Sequence, residues 1–263
     1  MNIAIVTGAS SGMGREFAKQ LSGYVAVDEV WAIARRESAL QSLKEECGVP
    51  VRPICLDLLE NASFDAYAAL LEKEKPNVRL LVNAASCGKF GARDTITAED
   101  DCRLIDLNCK ALVMMPRLTV PYMAPGSHIL QLASLSAFQP VPYITPYGAS
   151  KAFVLSYTRS MNRELKEKGI RCMAMNPGRV KTEFISHAMK SNDGKVQYFD
   201  RLYEAADVVA TGLKGLYKSK KDMSIHGFPV KFQVFLVKLV PHRVVMDIWQ
   251  NQQKKAKNNK NLE

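Results

Sequence analysis

Thr7-Gly8-Ala9-Ser10-Ser11-Gly12-Met13-Gly14 follows directly on the apolar run Ile3-Ala4-Ile5-Val6 and opens a stretch of helical period. Glycine at a strand-to-helix turn permits positive φ and close approach of a ligand to the backbone, and the free amides and dipole at the helix start attract an anion. A pyrophosphate is the natural occupant. The spacing, Gly then three residues then Gly-x-Gly, differs from the common G-x-G-x-x-G, and a tight turn needs glycine whether or not anything binds, so the surrounding chain has to decide.

Working outward, apolar runs rich in Val, Ile and Leu alternate with helix-period segments, the pattern of βαβ units around a parallel sheet. Strands are expected near 2–7, 29–34, 51–56, 79–83, 127–132, 170–175 and 222–226, and helices near 12–22, 37–47, 62–75, 98–115, 147–168 and 204–218. The fold expected is α/β, a Rossmann-type doubly wound parallel seven-stranded sheet in a single domain. Residues 1–227 would form the dinucleotide-binding and catalytic unit, and 228–263 an amphipathic, basic extension packed on it or at an interface. In such a sheet ligands sit beyond the carboxyl ends of the strands, where strand order reverses.

Composition excludes several classes. The 263 residues are 47% apolar and 24% charged, the balance of a globular protein able to bury a large core. No run approaches the roughly 18 apolar residues of a membrane span. Net charge is +10, but residues 214–263 hold eleven Lys/Arg against Asp222, Asp247 and Glu263, so +8 of it lies in the tail. A surface-wide basic groove is absent and nucleic acid is not an expected partner. The chain starts without a secretory leader, and its six cysteines lack any C-x-x-C pairing, so a reduced, cytoplasmic setting is expected. His128, His187, His226 and His242 have no Cys or His at zinc spacing, so no metal site is expected.

Context for the glycine turn comes from Tyr147-Gly148-Ala149-Ser150-Lys151, where Tyr and Lys share one face of an expected helix, and from Ser134, thirteen residues before the Tyr. Together these residues resemble the short-chain dehydrogenase/reductase family, with its T-G-x-x-x-G-x-G turn, Y-x-x-x-K helix and preceding Ser. Asn108 falls where that family has its tetrad Asn, and Asn176-Pro177-Gly178-Arg179-Val180-Lys181-Thr182 matches its P-G-x-V-x-T segment. Asn83-Ala84-Ala85-Ser86 departs from the usual Asn-Asn-Ala-Gly. The resemblance implies Tyr147 as acid/base, Ser134 as hydrogen-bond donor to the substrate oxygen, Lys151 on the ribose and beside the phenol, and Asn108 positioning a water in the proton relay. For the cofactor it implies Gly8, Ser10, Ser11, Gly12, Met13, Gly14, Asp57, Leu58, Asn83, Tyr147, Lys151, Pro177, Gly178, Val180 and Thr182. Asp57 could equally be a helix cap. A homo-oligomer, dimer or tetramer, is also implied.

Side-chain chemistry supports these roles. A free phenol with pKa near 10 exchanges protons slowly at neutral pH, and an adjacent ammonium such as Lys151, with the positive oxidised nicotinamide nearby, is expected to favour phenolate, a lowering of about two to three units taking roughly 3 to 4 kcal/mol. At the end of the second strand, Ala34 stands where an NAD enzyme needs a carboxylate, and Arg35 and Arg36 follow with guanidinium forks suited to a 2′-phosphate. NADP(H) is the cofactor expected.

Phe184, Ile185, Met189, Tyr198, Phe199 and Tyr203, with Phe138, Val141 and Tyr143 opposite, are candidates for an apolar substrate pocket. The tail from Phe228 to Pro241 interleaves apolar residues with Lys231 and Lys238; closing the site, a subunit contact and peripheral contact with an anionic membrane are its three readings. The function expected is an NADP(H)-dependent oxidoreductase acting on a small hydrophobic alcohol or ketone, a hydroxysteroid or other lipid-like molecule among the candidates. A non-catalytic dinucleotide-binding sensor or scaffold is the alternative, but a pure binder has no chemical need for Ser and Tyr converging on one oxygen.

Overall fold

Along β1 (Asn2–Thr7) the side chains divide strictly by parity: Ala4 and Val6 enter one hydrophobic cluster, Ile3 and Ile5 the other. A strand buried on both faces belongs at the centre of a covered parallel sheet. The computed structural model describes residues 1–197 and 202–260, with side chains through residue 256. β1 is joined by β2 (Glu29–Ala34), β3 (Val51–Cys55), β4 (Asn77–Asn83), β5 (His128–Leu132), β6 (Arg171–Met175) and β7 (Met223–Ser224). All pair in parallel, in the order β3-β2-β1-β4-β5-β6-β7. Strand order reverses between β1 and β4, so a crevice opens at their carboxyl ends.

Helices α1 (Gly12–Gln20), α2 (Glu37–Leu43) and α8 (Ala205–Lys218) cover one face through Phe17, Leu40, Leu43, Val209 and Leu213. The other face is covered by α3 (Asn61–Glu74), α5 (Ala111–Thr119) and α6 (Thr145–Glu164), through Phe64, Tyr67, Leu71, Met115 and Met161. Among the described residues no helix is long and apolar enough to cross a membrane.

Three elements differ from expectation. The expected helix over 98–115 is α4 (Ala98–Ile105), a π-type turn over Asp106–Lys110, and then α5, so that an extra residue is inserted at Asn108. The seventh strand shrinks to Met223–Ser224, because it pairs only with Ala174 and Met175 before the chain turns at Gly227, whose φ is +80°. The stretch after Thr182 begins with a short helix, α7 (Glu183–Ala188). The tail forms α9 (Phe228–Val237) and α10 (His242–Lys260). Val230, Val234 and Val237 of α9 are buried on the body, as are Val245 and Trp249 of α10. The Trp249 indole donates to the Pro142 carbonyl at 3.0 Å, and the Gln197 amide donates to Gln253 Oε1 at 2.8 Å.

A Cβ on Gly14 would drive into the carbonyl oxygen of Gly8, a backbone atom that cannot step aside. Gly14→Ala should therefore cost about 1–3 kcal/mol in a denaturant titration. Gly23→Ala, with nothing within 4 Å of its added Cβ, should be close to neutral.

Candidate active site

A cleft of about 690 Å³ opens along the carboxyl ends of the strands, from the glycine turn to the carboxyl-terminal helices. Its floor is set by a close approach. Gly8 has φ +69°, and a Cβ there would lie 2.9 Å from Ala85 Cα. The Thr7 hydroxyl holds the chain beyond β4 in place by accepting the amides of Ala84 and Ala85, each at 3.1 Å. Ser11 caps α1 in extended conformation without a capping side-chain hydrogen bond, and the first turn of α1 carries no acidic residue. The positive helix end thus faces the cleft, whose lining includes Ser10, Ser11, Gly12, Met13 and Gly14. This cradle fits a pyrophosphate.

At the outer end, Arg35 and Arg36 line the cleft with Ala34, Asp57 and Leu58. Both arginines are engaged. Arg35 pairs with Asp57 at 3.7 Å, and Arg36 with Glu183 at 3.0 Å while also reaching Ser10. Asp57 Oδ1 accepts the Leu59 amide at 3.1 Å, so it closes a turn, whereas the cap of α3 is Glu60. Glu183 was not singled out from the sequence, although its place directly after Thr182 was a signal. Its hydrogen bond from Arg36 holds the carboxyl below its usual range.

Tyr147 and Lys151 stand one turn apart on α6, and Ser134 meets them from the end of β5; all three line the cleft. Ser134 Oγ accepts the Ser136 amide at 3.2 Å. The fully buried Lys151 amine donates to the Leu132 carbonyl at 2.8 Å and lies 5.5 Å from the centre of the Tyr147 ring. Desolvation brings Lys151 down to about 8. Burial pushes Tyr147 up to about 12, with Ser134 opposing. Lys151 by itself does not lower the phenol here; the expected lowering also calls on the positive oxidised nicotinamide. The amine sits over the ring face and donates to the Leu132 carbonyl.

Two expected site residues do not line the cleft. Asn108, 1% exposed, uses its amide to clamp one backbone: it accepts the Cys87 amide at 2.9 Å and donates to the Cys87 carbonyl at 3.0 Å and to Ser150 Oγ at 3.1 Å. Asn83 is 3% exposed, in register between Thr7 and Gln131, and among the described residues neither of its amide atoms has a hydrogen-bond partner. Strand alternation turns its side chain into the sheet face, and the residues from that stretch that do line the cleft are Ala84, Ala85, Ser86, Cys87 and Gly88. Pro177, Gly178, Val180 and Thr182 all line it.

Of the expected pocket residues, Phe184, Ile185 and Val141 line the cleft. Phe138, Tyr143, Met189 and Tyr203 instead pack in the neighbouring clusters, and Tyr198 and Phe199 lie outside the described residues. Phe90, Ile144, Val196, Val237, Val245 and Trp249 complete the wall. Val237, Val245 and Trp249 come from the tail, for which closing the site was one reading, whereas no local pattern pointed to Phe90, Ile144 and Val196.

Lys151 holds its proton below about pH 8 in the folded chain but below about 10.5 once unfolded. Between these values the unfolded chain binds more protons, so this group makes stability rise with pH. From pH 8 to 10.5 the parent should gain about 3 kcal/mol on a Lys151→Met variant, read by denaturant titration at each pH. A constant difference would show that the amine is not desolvated.

Residues 2–193 match the family model described as short chain dehydrogenase. NADP-dependent 3-hydroxy acid dehydrogenase YdfG of Escherichia coli K12 is 34% identical over 204 residues, 74% of this chain and 79% of that protein. A short-chain dehydrogenase from Sphingobium yanoikuyae, solved in complex with NADPH, is 27% identical with TM-score 0.77, covering 90% of this chain and 92% of that one. The 3-ketoacyl-(acyl-carrier-protein) reductase of Brucella melitensis, solved with NADH, is 26% identical with TM-score 0.69, covering 82% and 91%. A family match running from the first strand past the P-G-x-V-x-T segment leaves no ambiguity: this chain belongs to the short-chain dehydrogenase family.

Proposed function

We propose that the chain is an NADP(H)-dependent oxidoreductase interconverting a hydrophobic secondary alcohol and its ketone, with hydroxysteroids and other lipid-like carbonyl compounds as the substrate class. The observation that carries this reading is the convergence of Ser134, Tyr147 and Lys151 on the cleft that also holds the glycine cradle and an apolar wall. Bound NADPH supplies the hydride. As the carbonyl carbon accepts it, negative charge develops on the oxygen, where the Ser134 hydroxyl donates a hydrogen bond and Tyr147 delivers its proton. A phenol held protonated by burial suits the reducing direction. Lys151 would hold the ribose hydroxyls, and its buried amine can release or take a proton near neutral pH because desolvation brings it down to about 8.

Asn108 is assigned a positioning role in this scheme. Its clamp on Cys87 fixes the backbone beside the cofactor's reactive end and, through Ser150, ties it to α6. The choice of NADP(H) follows from Ala34 in place of a ribose-binding carboxylate and from Arg35 and Arg36 behind it. The NADP dependence of the Escherichia coli relative and the NADPH in the Sphingobium structure agree with it. Phe90, Val141, Ile144, Phe184 and Trp249 form an apolar cluster around Tyr147, a surrounding that favours a bulky apolar substrate over a small polar one.

Tyr147→Phe should retain NADPH affinity in calorimetry while turnover falls by roughly 10² or more; near-normal turnover would overturn the acid/base assignment. Arg35→Ala with Arg36→Ala should weaken NADPH binding far more than NADH binding, and equal losses would remove the phosphate-site argument. Following NADPH consumption against steroid, aromatic and aliphatic ketones tests the substrate class. Turnover confined to small hydroxy acids and their ketones would refute a hydrophobic preference.

A further inference from the structure

Helix α9 is apolar on two sides at once. Val230, Val234 and Val237 are buried against the body, while Phe228, Phe232, Phe235 and Leu239 stand 78%, 52%, 57% and 66% exposed. Their spacing of four, three and four residues puts the exposed set in one stripe. The Phe228 and Phe232 rings stack within it at 6.3 Å. A soluble protein rarely leaves such a contiguous aromatic surface without a partner. The stripe runs into the active-site mouth, since Leu236 and Ile248 are both exposed, at 42% and 52%, and both line the cleft.

Charge identifies the partner. Lys231 and Lys238 border the stripe, Arg243 follows it, and Lys218, Lys220 and Lys221 precede it, all of them exposed. No Asp or Glu occurs between Asp222 and Asp247. An apolar aromatic face edged by lysines is the form of a helix lying in a membrane interface, with rings among the acyl chains and ammonium groups at anionic headgroups. A second copy fits poorly. Two α9 faces meeting antiparallel about a two-fold axis would bring lysine edge to lysine edge, with no carboxylate on the helix to pair them.

We propose that the exposed face of α9 docks the protein onto anionic phospholipid membranes and seats the mouth of the cleft on the bilayer surface. A lipid-like substrate would then pass from the acyl region into the cleft beside Leu236 and Ile248. That consequence rests on the enzyme reading above, whereas the docking does not.

The test is sedimentation of the full chain, without cofactor or substrate, with vesicles of phosphatidylcholine alone or mixed with phosphatidylglycerol. The assay thereby separates failure of docking from failure of the enzyme reading. The chain should pellet with the anionic vesicles and be released as salt rises. Phe228→Ser with Phe232→Ser and Phe235→Ser, none of which lines the cleft, should lower vesicle affinity by at least about tenfold. Lys231→Gln and Lys238→Gln should each cost about fivefold. Both sets should keep the parent's melting temperature, NADPH affinity and turnover of a water-soluble ketone. A parent that stays in the supernatant with both vesicles, or substitutions that leave binding unchanged, would overturn the proposal. So would a concentration-dependent dimer that the phenylalanine substitutions dissociate while no vesicle binding is seen.

Discussion

The Thr7 hydroxyl accepts the amides of both Ala84 and Ala85, and this pair of hydrogen bonds joins the ends of β1 and β4 where strand order reverses. Everything in the site is built against that joint. The same approach brings Gly8 against Ala85, which is why position 8 has no room for a side chain. From there α1 presents its amino end to the cleft, and the chain after β4 runs along the floor as far as Cys87 and Gly88. The second anchor is Asn108, whose amide completes hydrogen bonds to the Cys87 backbone that the strand has ceased to supply. The π-type turn at Asp106–Lys110 is the local distortion that carries this side chain.

Burial sets the electrostatics of the site more than pairing does. Lys151 is removed from water and held by a neutral carbonyl, so its ammonium form is disfavoured, and the Tyr147 phenol beside it keeps its proton for the same reason. At the outer end the balance is opposite. Arg35 and Arg36 are substantially exposed and lean on Asp57 and Glu183, pairs that are individually weak in solvent and can be exchanged for a doubly charged phosphate. Because Glu183 begins α7, whose Phe184 and Ile185 also line the cleft, the Arg36 end and the apolar wall share one structural element.

Much of this was legible in order along the chain, because the deciding features are local. Alternation of Ile3, Ala4, Ile5 and Val6 between two cores is a period-two pattern that any central strand shows. The glycines of the first turn and the Tyr147–Lys151 interval are short-range geometry, and the backbone of the glycines and the side chains of Tyr147 and Lys151 line the cleft. Asn83 and Asn108 were less legible. Their positions along the chain were right for a site, but strand parity in one case and the Cys87 clamp in the other turn the side chains away from the cleft.

The sequence by itself determined the layer order, the glycine turn that opens α1, the missing carboxylate at Ala34 and the Tyr147–Lys151 interval on one helix face, since each depends on periodicity, φ preference or residue type within a few positions. Only the tertiary structure decided which groups meet across long separations. Glu183 reaches Arg36, Trp249 reaches Pro142, and the valines of α9 turn inward so that its phenylalanines face out. The helix spacing of α9 offers two apolar faces, and nothing local says which one the body will cover. That choice belongs to the packing of α9 beside the turn after Ser134, where Val230, Val234 and Val237 are the side chains buried.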